Sequence, residues 1–302
     1  MDKTILVAGG TGDLGGQIIA RLLDRGARVR ALVRASSDAV TVHNLEQRGA
    51  HIITLDLADQ AALTHACEGV DCVVSALSGL GEVIFTAQKQ LLDAAVRAGV
   101  PRFIPSDFAA DFTKLPAGTN RNFDLRRAFR TYLEAQPIAA TSVLNGMFMD
   151  LLTGQAPMIL FPLKRVMYWE RADQLLDFTT IANTAEYTAA AALDPDTPRF
   201  LRIAGDVLDA RGLAVVASEV TGDQFRVVRA GSLKRLGTLI NVTRMVAPAA
   251  DEVFPAWQGM QYTRDMFDGR GKLAPLDNDR YPGIRWTKVK DLLTAHQSVV
   301  TA

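Results

Sequence analysis

The chain has 302 residues, 48% hydrophobic and 22% charged, enough to bury a sizeable core in one large or two modest domains. Lys plus Arg and Asp plus Glu both number 33, and a net charge of zero argues against nucleic acid or a membrane surface as a main partner. Two cysteines, Cys67 and Cys72, are too few for a disulfide framework, four scattered histidines lack metal-ligand spacing, and no G-x-S-x-G elbow points to a serine hydrolase.

No apolar run reaches the length of a membrane span, and Met1 and Asp2 lead into the first strand without a leader, so a reducing cytoplasm is the expected setting. Residues 5–16 read Ile-Leu-Val-Ala-Gly-Gly-Thr-Gly-Asp-Leu-Gly-Gly: an apolar strand, a glycine turn and the start of a helix. Gly9 allows the tight exit from the strand, Gly12 lets a pyrophosphate approach bare backbone, and Gly15 lets the helix pack on the sheet. Thr11, Asp13 and Leu14 fill the turn between them. The helix N-terminus then offers N–H groups and the positive end of its dipole to phosphates. A glycine turn alone is a weak signal. Here it follows the first strand and precedes the helical run Leu14, Ile18, Leu22, Leu23, which points to a bound dinucleotide.

Further strands are predicted over residues 27–33, 51–55, 72–76, 102–105 and 140–144, and helices over 13–24, 40–48, 59–66, 82–98 and 122–135. Short apolar strands alternating with helices imply an α/β fold with a doubly wound parallel sheet, of Rossmann type. Ligands of such sheets sit at the carboxyl ends of the strands. Residues 1–150 are therefore expected to form the dinucleotide-binding domain. Beyond them the regularity falls. Strands are predicted over 161–169, 175–180, 201–203 and 224–228, and helices over 182–193 and 210–221. Breaks follow at Phe254-Pro255-Ala256-Trp257 and Arg280-Tyr281-Pro282-Gly283. Residues 151–302 are expected to make a smaller α/β lobe over the cofactor cleft, with some segments returning to the first sheet.

The residues at the strand ends carry the chemistry. Arg34 ends the second strand, where an acidic residue would bind the two ribose hydroxyls of NAD and repel a 2′-phosphate. An arginine offers that phosphate a charge-assisted fork, and Ser36 and Ser37 add hydroxyl donors, so NADP(H) is the expected cofactor. A solvated loop arginine is the alternative. Asp56 ends the third strand, where its carboxylate can accept from an adenine amino group or cap the next segment. Ala76, Leu77 and Ser78 end the fourth strand in a run of small residues that lets backbone pass close to a cofactor.

The chain also carries, in order, Gly9-Gly10-Thr11-Gly12-Asp13-Leu14-Gly15, Leu32-Val33-Arg34, Arg102-Phe103-Ile104-Pro105-Ser106-Asp107-Phe108 and Asn145-Gly146-Met147-Phe148. These segments resemble the atypical short-chain dehydrogenases of the NmrA-like and isoflavone-reductase-like group, well over residues 1–150 and more loosely beyond. The resemblance implies NADP(H) binding, with the nicotinamide near residues 106–108 and 145–148, which brings Asn145 and Phe148 to the cofactor. It sets His43 where some members carry a lysine that helps hold the 2′-phosphate. A surface helix residue is the other reading of His43.

Ordinary short-chain dehydrogenases use Tyr-x-x-x-Lys, in which the lysine lowers the phenol's pKa. Four residues after Tyr132, Tyr168, Tyr187, Tyr262 and Tyr281 stand Gln136, Ala172, Ala191, Met266 and Arg285, so that pair is absent. The isoflavone-reductase branch uses a lysine on the helix after Pro-Ser-Asp/Glu-Phe. Phe123-Asp124-Leu125-Arg126 aligns with that segment and puts Arg126 in its place. Arginine stays protonated and is no ordinary base, but it can polarise a carbonyl or stabilise an oxyanion. Ser106 and Asp107 are the accompanying candidates for positioning or polarising a substrate; Lys114 and Asp107 are lesser candidates for proton transfer, a surface loop lysine and a capping aspartate being the alternatives. A solvated basic face with Arg121, Arg127 and Arg130 is the alternative for Arg126. Tyr168, Trp169, Phe254, Trp257, Tyr262 and Phe267 line an aromatic pocket or, as large aromatic residues commonly do, the core.

Two readings of function follow. The first is an NADP(H)-dependent oxidoreductase that reduces a carbonyl or enone on a small molecule, aromatic ones included. The second is a non-catalytic NADP(H) sensor that signals through a protein partner. A homodimer is compatible with either.

Overall fold

The computed structural model describes the backbone of residues 3–300 and the side chains of residues 3–297. The leader reading at Met1 and Asp2 lies outside these residues. Six strands form one parallel sheet: β1 (Thr4–Ala8), β2 (Arg28–Val33), β3 (His51–Thr54), β4 (Cys72–Ser75), β5 (Arg102–Ile104) and β6 (Ala139–Ala140). Their order is β3-β2-β1-β4-β5-β6, so the winding direction reverses at β1. Ile5 pairs with Val29 on one side and Cys72 on the other. The connecting helices are α1 (Asp13–Asp24), α2 (Ala39–Gln47), α3 (Gln60–Cys67), α4 (Gln88–Arg97) and α5 (Arg121–Glu134).

Every residue of β1 and β4 is buried, which explains their unbroken apolar runs. Successive side chains still point to opposite faces. Ile5 and Val7 join a core with Ile18, Ile19 and Leu22 of α1, and Leu6 and Ala8 join a second core with Leu63, Leu91, Leu92 and Phe129. The first face is completed from the second half of the chain. Helix α6 (Ile181–Leu193) packs against α1 through Ala185, Ala189, Ala191 and Ala192, small enough for close approach. Lys3 Nζ donates to the Leu193 carbonyl at 2.8 Å, and Arg102 Nη1 to the Ala191 carbonyl at 3.1 Å, tying the end of this helix to the sheet.

The remaining strands are β7 (Ser142–Leu144), β8 (Met147–Phe148), β9 (Ile159–Leu160), β10 (Arg165–Trp169), β11 (Leu176–Thr179), β12 (Phe200–Arg202), β13 (Asp206–Leu208) and β14 (Arg226–Gly231). They pair as β12-β7, β13-β11-β8 and β14-β10-β9. The strand expected over 140–144 is broken at Thr141, because β7 leaves β6 to pair with β12. The strand expected over 161–169 starts only at Arg165: Pro162 lies in a short 3₁₀ turn, and Lys164 takes φ 51°.

Besides α7 (Ala210–Thr221), three helices occupy the region read as broken: α8 (Leu233–Val246), α9 (Ala256–Asp268) and α10 (Val289–Val300). Phe254-Pro255-Ala256-Trp257 is a helix start, with Pro255 as the N-cap, a place where its missing N–H costs nothing. Helix α8 leaves Leu239, Val242, Met245 and Val246 exposed, which blurs the amphipathic period by which it would be recognised.

Candidate functional site

The glycine turn follows β1 at the point where the strand order reverses. Gly9 has φ +86°, and a Cβ there would lie 2.6 Å from the Ala76 carbonyl oxygen, so the turn lies against the end of β4. A Cβ on Gly15 would lie 2.1 Å from the Gly9 oxygen, which fixes glycine at the strand–helix contact. A Cβ on Gly12 would meet only the Gly9 oxygen, at 3.5 Å. Gly12 is exposed and is the N-cap of α1, with no side-chain acceptor for the first-turn N–H groups. Bare backbone and uncapped donors thus face outward at the switch point. Thr11 is half-buried, Asp13 is exposed in the first turn, and Leu14 packs on the first core.

The neighbouring strands end at the same carboxyl edge. Just past β2, the Ser37 N–H donates to the Arg34 carbonyl at 2.9 Å and the Arg34 N–H to Ser37 Oγ at 3.1 Å, closing a turn. Arg34 and Ser36 are exposed, and the Arg34 guanidinium has no hydrogen bond or ion pair among the described residues. His43 is exposed on α2, with Nδ1 4.0 Å from Glu46. Asp56 is exposed, and Oδ1 accepts from the Ala58 N–H at 2.9 Å, a local turn contact. The Ala76 N–H donates to the Ala8 carbonyl at 2.8 Å, extending β4 beside the glycine turn, while Ser78 is exposed.

Past β5 lie Ser106 and Asp107. The hydroxyl of Ser106, itself only 5% exposed, donates to the Leu77 carbonyl at 2.7 Å. Its one hydrogen is thus committed to the β4 end. Asp107 is 1% exposed; one carboxylate oxygen meets a polar cluster, and the other, Oδ1, has no hydrogen-bond partner among the described residues. Ser142 Oγ donates to its Oδ2 at 2.6 Å, and Arg199 Nη1 donates to the same hydroxyl at 2.7 Å. Burial pushes the Asp107 carboxyl up, against the Ser142 bond and the charges of Arg126, Arg199 and Arg130. Ser142 and Arg199 lie far along the chain, and nothing in their local sequence signals this cluster.

Arg126, half-buried on α5, is placed differently. Its Nε donates to the Ser106 carbonyl at 3.1 Å and its Nη1 to the Asn122 carbonyl at 3.3 Å, while Nη2 has no hydrogen-bond partner among the described residues. Lys114 is a surface residue 3.1 Å from Asp111.

After β7, Asn145 and Gly146 both donate backbone N–H groups to the Ala109 carbonyl, at 3.0 and 3.1 Å. Gly146 has φ +70°, and a Cβ would lie 2.4 Å from the Asp177 oxygen. Asn145 is fully buried, yet neither its Oδ1 nor its Nδ2 has a partner. An unpaired buried polar group costs about 1–3 kcal/mol. Phe148 is half-buried against the first core. The aromatic segments are mostly core: Trp169, Trp257 and Phe267 are buried, Tyr262 meets Phe123 edge-on at 5.1 Å, and only Phe254 stands well out.

The strand order and the glycine turn at its switch point define a doubly wound, Rossmann-type α/β protein. The model of the NmrA-like family matches residues 1–256, and the chain belongs to that family. It is 30% identical to an isoflavone reductase homolog of Zea mays over 236 residues, 74% of this chain and 75% of that one. It is also 30% identical to pinoresinol reductase 2 of Arabidopsis thaliana over 212 residues, 65% of this chain and 67% of that one. The solved structure of AtPrR2 with NADP+ and (+)pinoresinol superposes with a TM-score of 0.80 at 21% identity, covering 98% of this chain and 99% of that one.

Proposed function

We propose that this protein is an NADP(H)-dependent reductase of a small carbonyl, enone or related compound, aromatic ones included. The observation that carries the cofactor choice is Arg34, exposed and unpaired one residue past β2. An acidic residue there would select NAD; a fork of unused donors suits a 2′-phosphate. Other features fit the same group. Gly9, Thr11, Gly12, Asp13, Leu14 and Gly15 offer backbone to a pyrophosphate, and Ser36 and His43 flank Arg34. Asp56 lies toward the adenine end. Ala76, Leu77 and Ser78 form the wall along β4, and the unpaired amide of Asn145, with Phe148, serves the nicotinamide end.

When bound, the cofactor supplies hydride. Arg126 holds a fixed positive charge beside Ser106 and directs Nη2 at a substrate oxygen on which charge develops. It cannot remove a proton. Residues 1–150 carry nearly all of these groups, and residues 151–302 supply the substrate side. The relatives named above are reductases, and a reductase reading agrees with them.

The sensor reading draws on one observation: the Ser106 hydroxyl is committed to the Leu77 carbonyl and Asp107 Oδ2 to Ser142 Oγ, both inside the protein. The experiment is NADPH oxidation by the wild type with a panel of aromatic ketones, enones and quinones. Oxidation with at least one class is the expected result. Tight NADPH binding with no oxidation across the panel puts the sensor ahead.

A further inference from the structure

The segment that leads into α4 does not begin as an α-helix. Residues Glu82–Ala87 form a π-helical turn. There the Gln88 N–H turns to the Val83 and Phe85 carbonyls and passes over Ile84, its α-helical partner. The side chain of the same residue makes up the loss: Gln88 Nε2 donates to the Ile84 carbonyl at 2.8 Å. Its other end, Oε1, accepts from the Ser106 N–H at 2.8 Å. Gln88 is 0% exposed, and the two partners fix which end of the amide is which, since one is a carbonyl and the other an N–H.

The turn lies between the parts of the candidate site. A Cβ on Gly79, past β4, would lie 2.6 Å from the Val83 side chain, and one on Gly81 would lie 3.6 Å from Leu125 of α5. Ser106 is held at three atoms. Its N–H donates to Gln88, its hydroxyl to the Leu77 carbonyl, and its own carbonyl accepts from Arg126 Nε. The Gln88 side chain thus joins the π turn to the peptide on which Arg126 is anchored.

We infer that Gln88 is a positioning residue of the reaction: it sets the Ser106 backbone and, through the Ser106 carbonyl, the aim of the Arg126 guanidinium. The inference rests on the reductase reading for its kinetic consequence and on geometry alone for its structural one. Gln88→Met keeps the volume and loses both bonds. Gln88→Glu keeps an acceptor for the Ser106 N–H in either protonation state.

The experiment combines hydrogen exchange of the NADPH-loaded protein with steady-state kinetics on the best probe from the ketone, enone and quinone panel. In Gln88→Met, amides around Ser106 exchange faster, and kcat falls by about 10²-fold, as misplacement of a reacting group would cause, while KM for NADPH stays within about twofold. Gln88→Glu restores both the protection and most of kcat. Unchanged exchange around Ser106 in Gln88→Met overturns the inference. So does an unchanged kcat, or equal losses in the two variants, which marks a merely structural core residue. A wild type that oxidises no NADPH with any probe overturns the reductase reading instead, and the exchange comparison then decides the role of Gln88 by itself.

Discussion

Single residues carry the discrimination in this site. The Arg34 guanidinium has no partner among the described residues, so its removal is expected to affect mainly what it binds. A charge-assisted contact contributes about 1.5–3 kcal/mol. Arg34→Ala is therefore expected to weaken NADPH binding by that amount and to leave NADH binding nearly unchanged, measured by calorimetry. Equal affinity of the wild type for the two cofactors would remove Arg34 from the site. Asp107 belongs to the opposite kind, a buried group whose surroundings are all protein. Burial raises its pKa in the folded state, so between the unfolded and folded values the native protein binds more protons than the unfolded chain. Stability from this group is therefore fully present below the unfolded pKa and declines as pH rises through the folded one. Asp107→Asn keeps the shape and removes the titration. Its melting temperature relative to wild type is expected to rise from about pH 4 to about pH 7. A margin that shrinks over that range would show that the arginines around Asp107 outweigh its burial.

At the scale of elements, the β1–α1 junction separates two uses of glycine. Gly15 is required by packing, since its Cβ would overlap the Gly9 oxygen. Gly12 is required only by what approaches from outside, since its Cβ has room in the protein alone. Gly15→Ala is expected to lower stability by about 1–3 kcal/mol, the ordinary cost of overpacking. Gly12→Val should melt near the wild-type temperature yet lose NADPH binding. A Gly12→Val protein with wild-type affinity would exclude this turn as the phosphate site.

The same junction was legible in the sequence because its signals are local: an apolar strand, spaced glycines and a helical period. So were the five alternations that build the sheet and the Arg34 position that follows from them. What was not legible depends on distant partners. Nothing near Asp107 announces Ser142 or Arg199, and nothing in the Ser106 sequence shows its hydroxyl committed to Leu77. The π turn at Glu82–Ala87 keeps a helical pattern in sequence while shifting the hydrogen bonds by one residue. The late helices escaped for another reason. A proline at the start of α9 and exposed apolar residues along α8 look like breaks when read without the surrounding structure.

Over the whole molecule, the two halves of the chain build one framework. Tyr187 of α6 is fully buried in the core beneath β1 and donates its hydroxyl hydrogen to the Asp277 carbonyl at 2.7 Å, so the face behind the glycine turn is closed by the later half. The N-terminus of α5 is likewise strapped to α9: Asn120 Nδ2 donates to Asp265 Oδ2 at 2.8 Å, and Gln258 Nε2 to Asn120 Oδ1 at 2.8 Å. Arg126 is thus carried on a helix braced from both sides, by the β5 end and by α9. Such bracing keeps a charge aimed without reorganisation, the condition under which an electrostatic group is most effective. We propose that this aimed charge assists hydride transfer from NADPH to a substrate carbon. The measurement that tests it most directly is the single-turnover rate of NADPH absorbance loss when loaded protein meets an accepted ketone, enone or quinone, compared between wild type and Arg126→Ala. A fall of about 10²–10³ in that rate is expected, with NADPH affinity nearly unchanged and partial recovery in Arg126→Lys. An Arg126→Ala protein that oxidises its bound NADPH at the wild-type rate would contradict it.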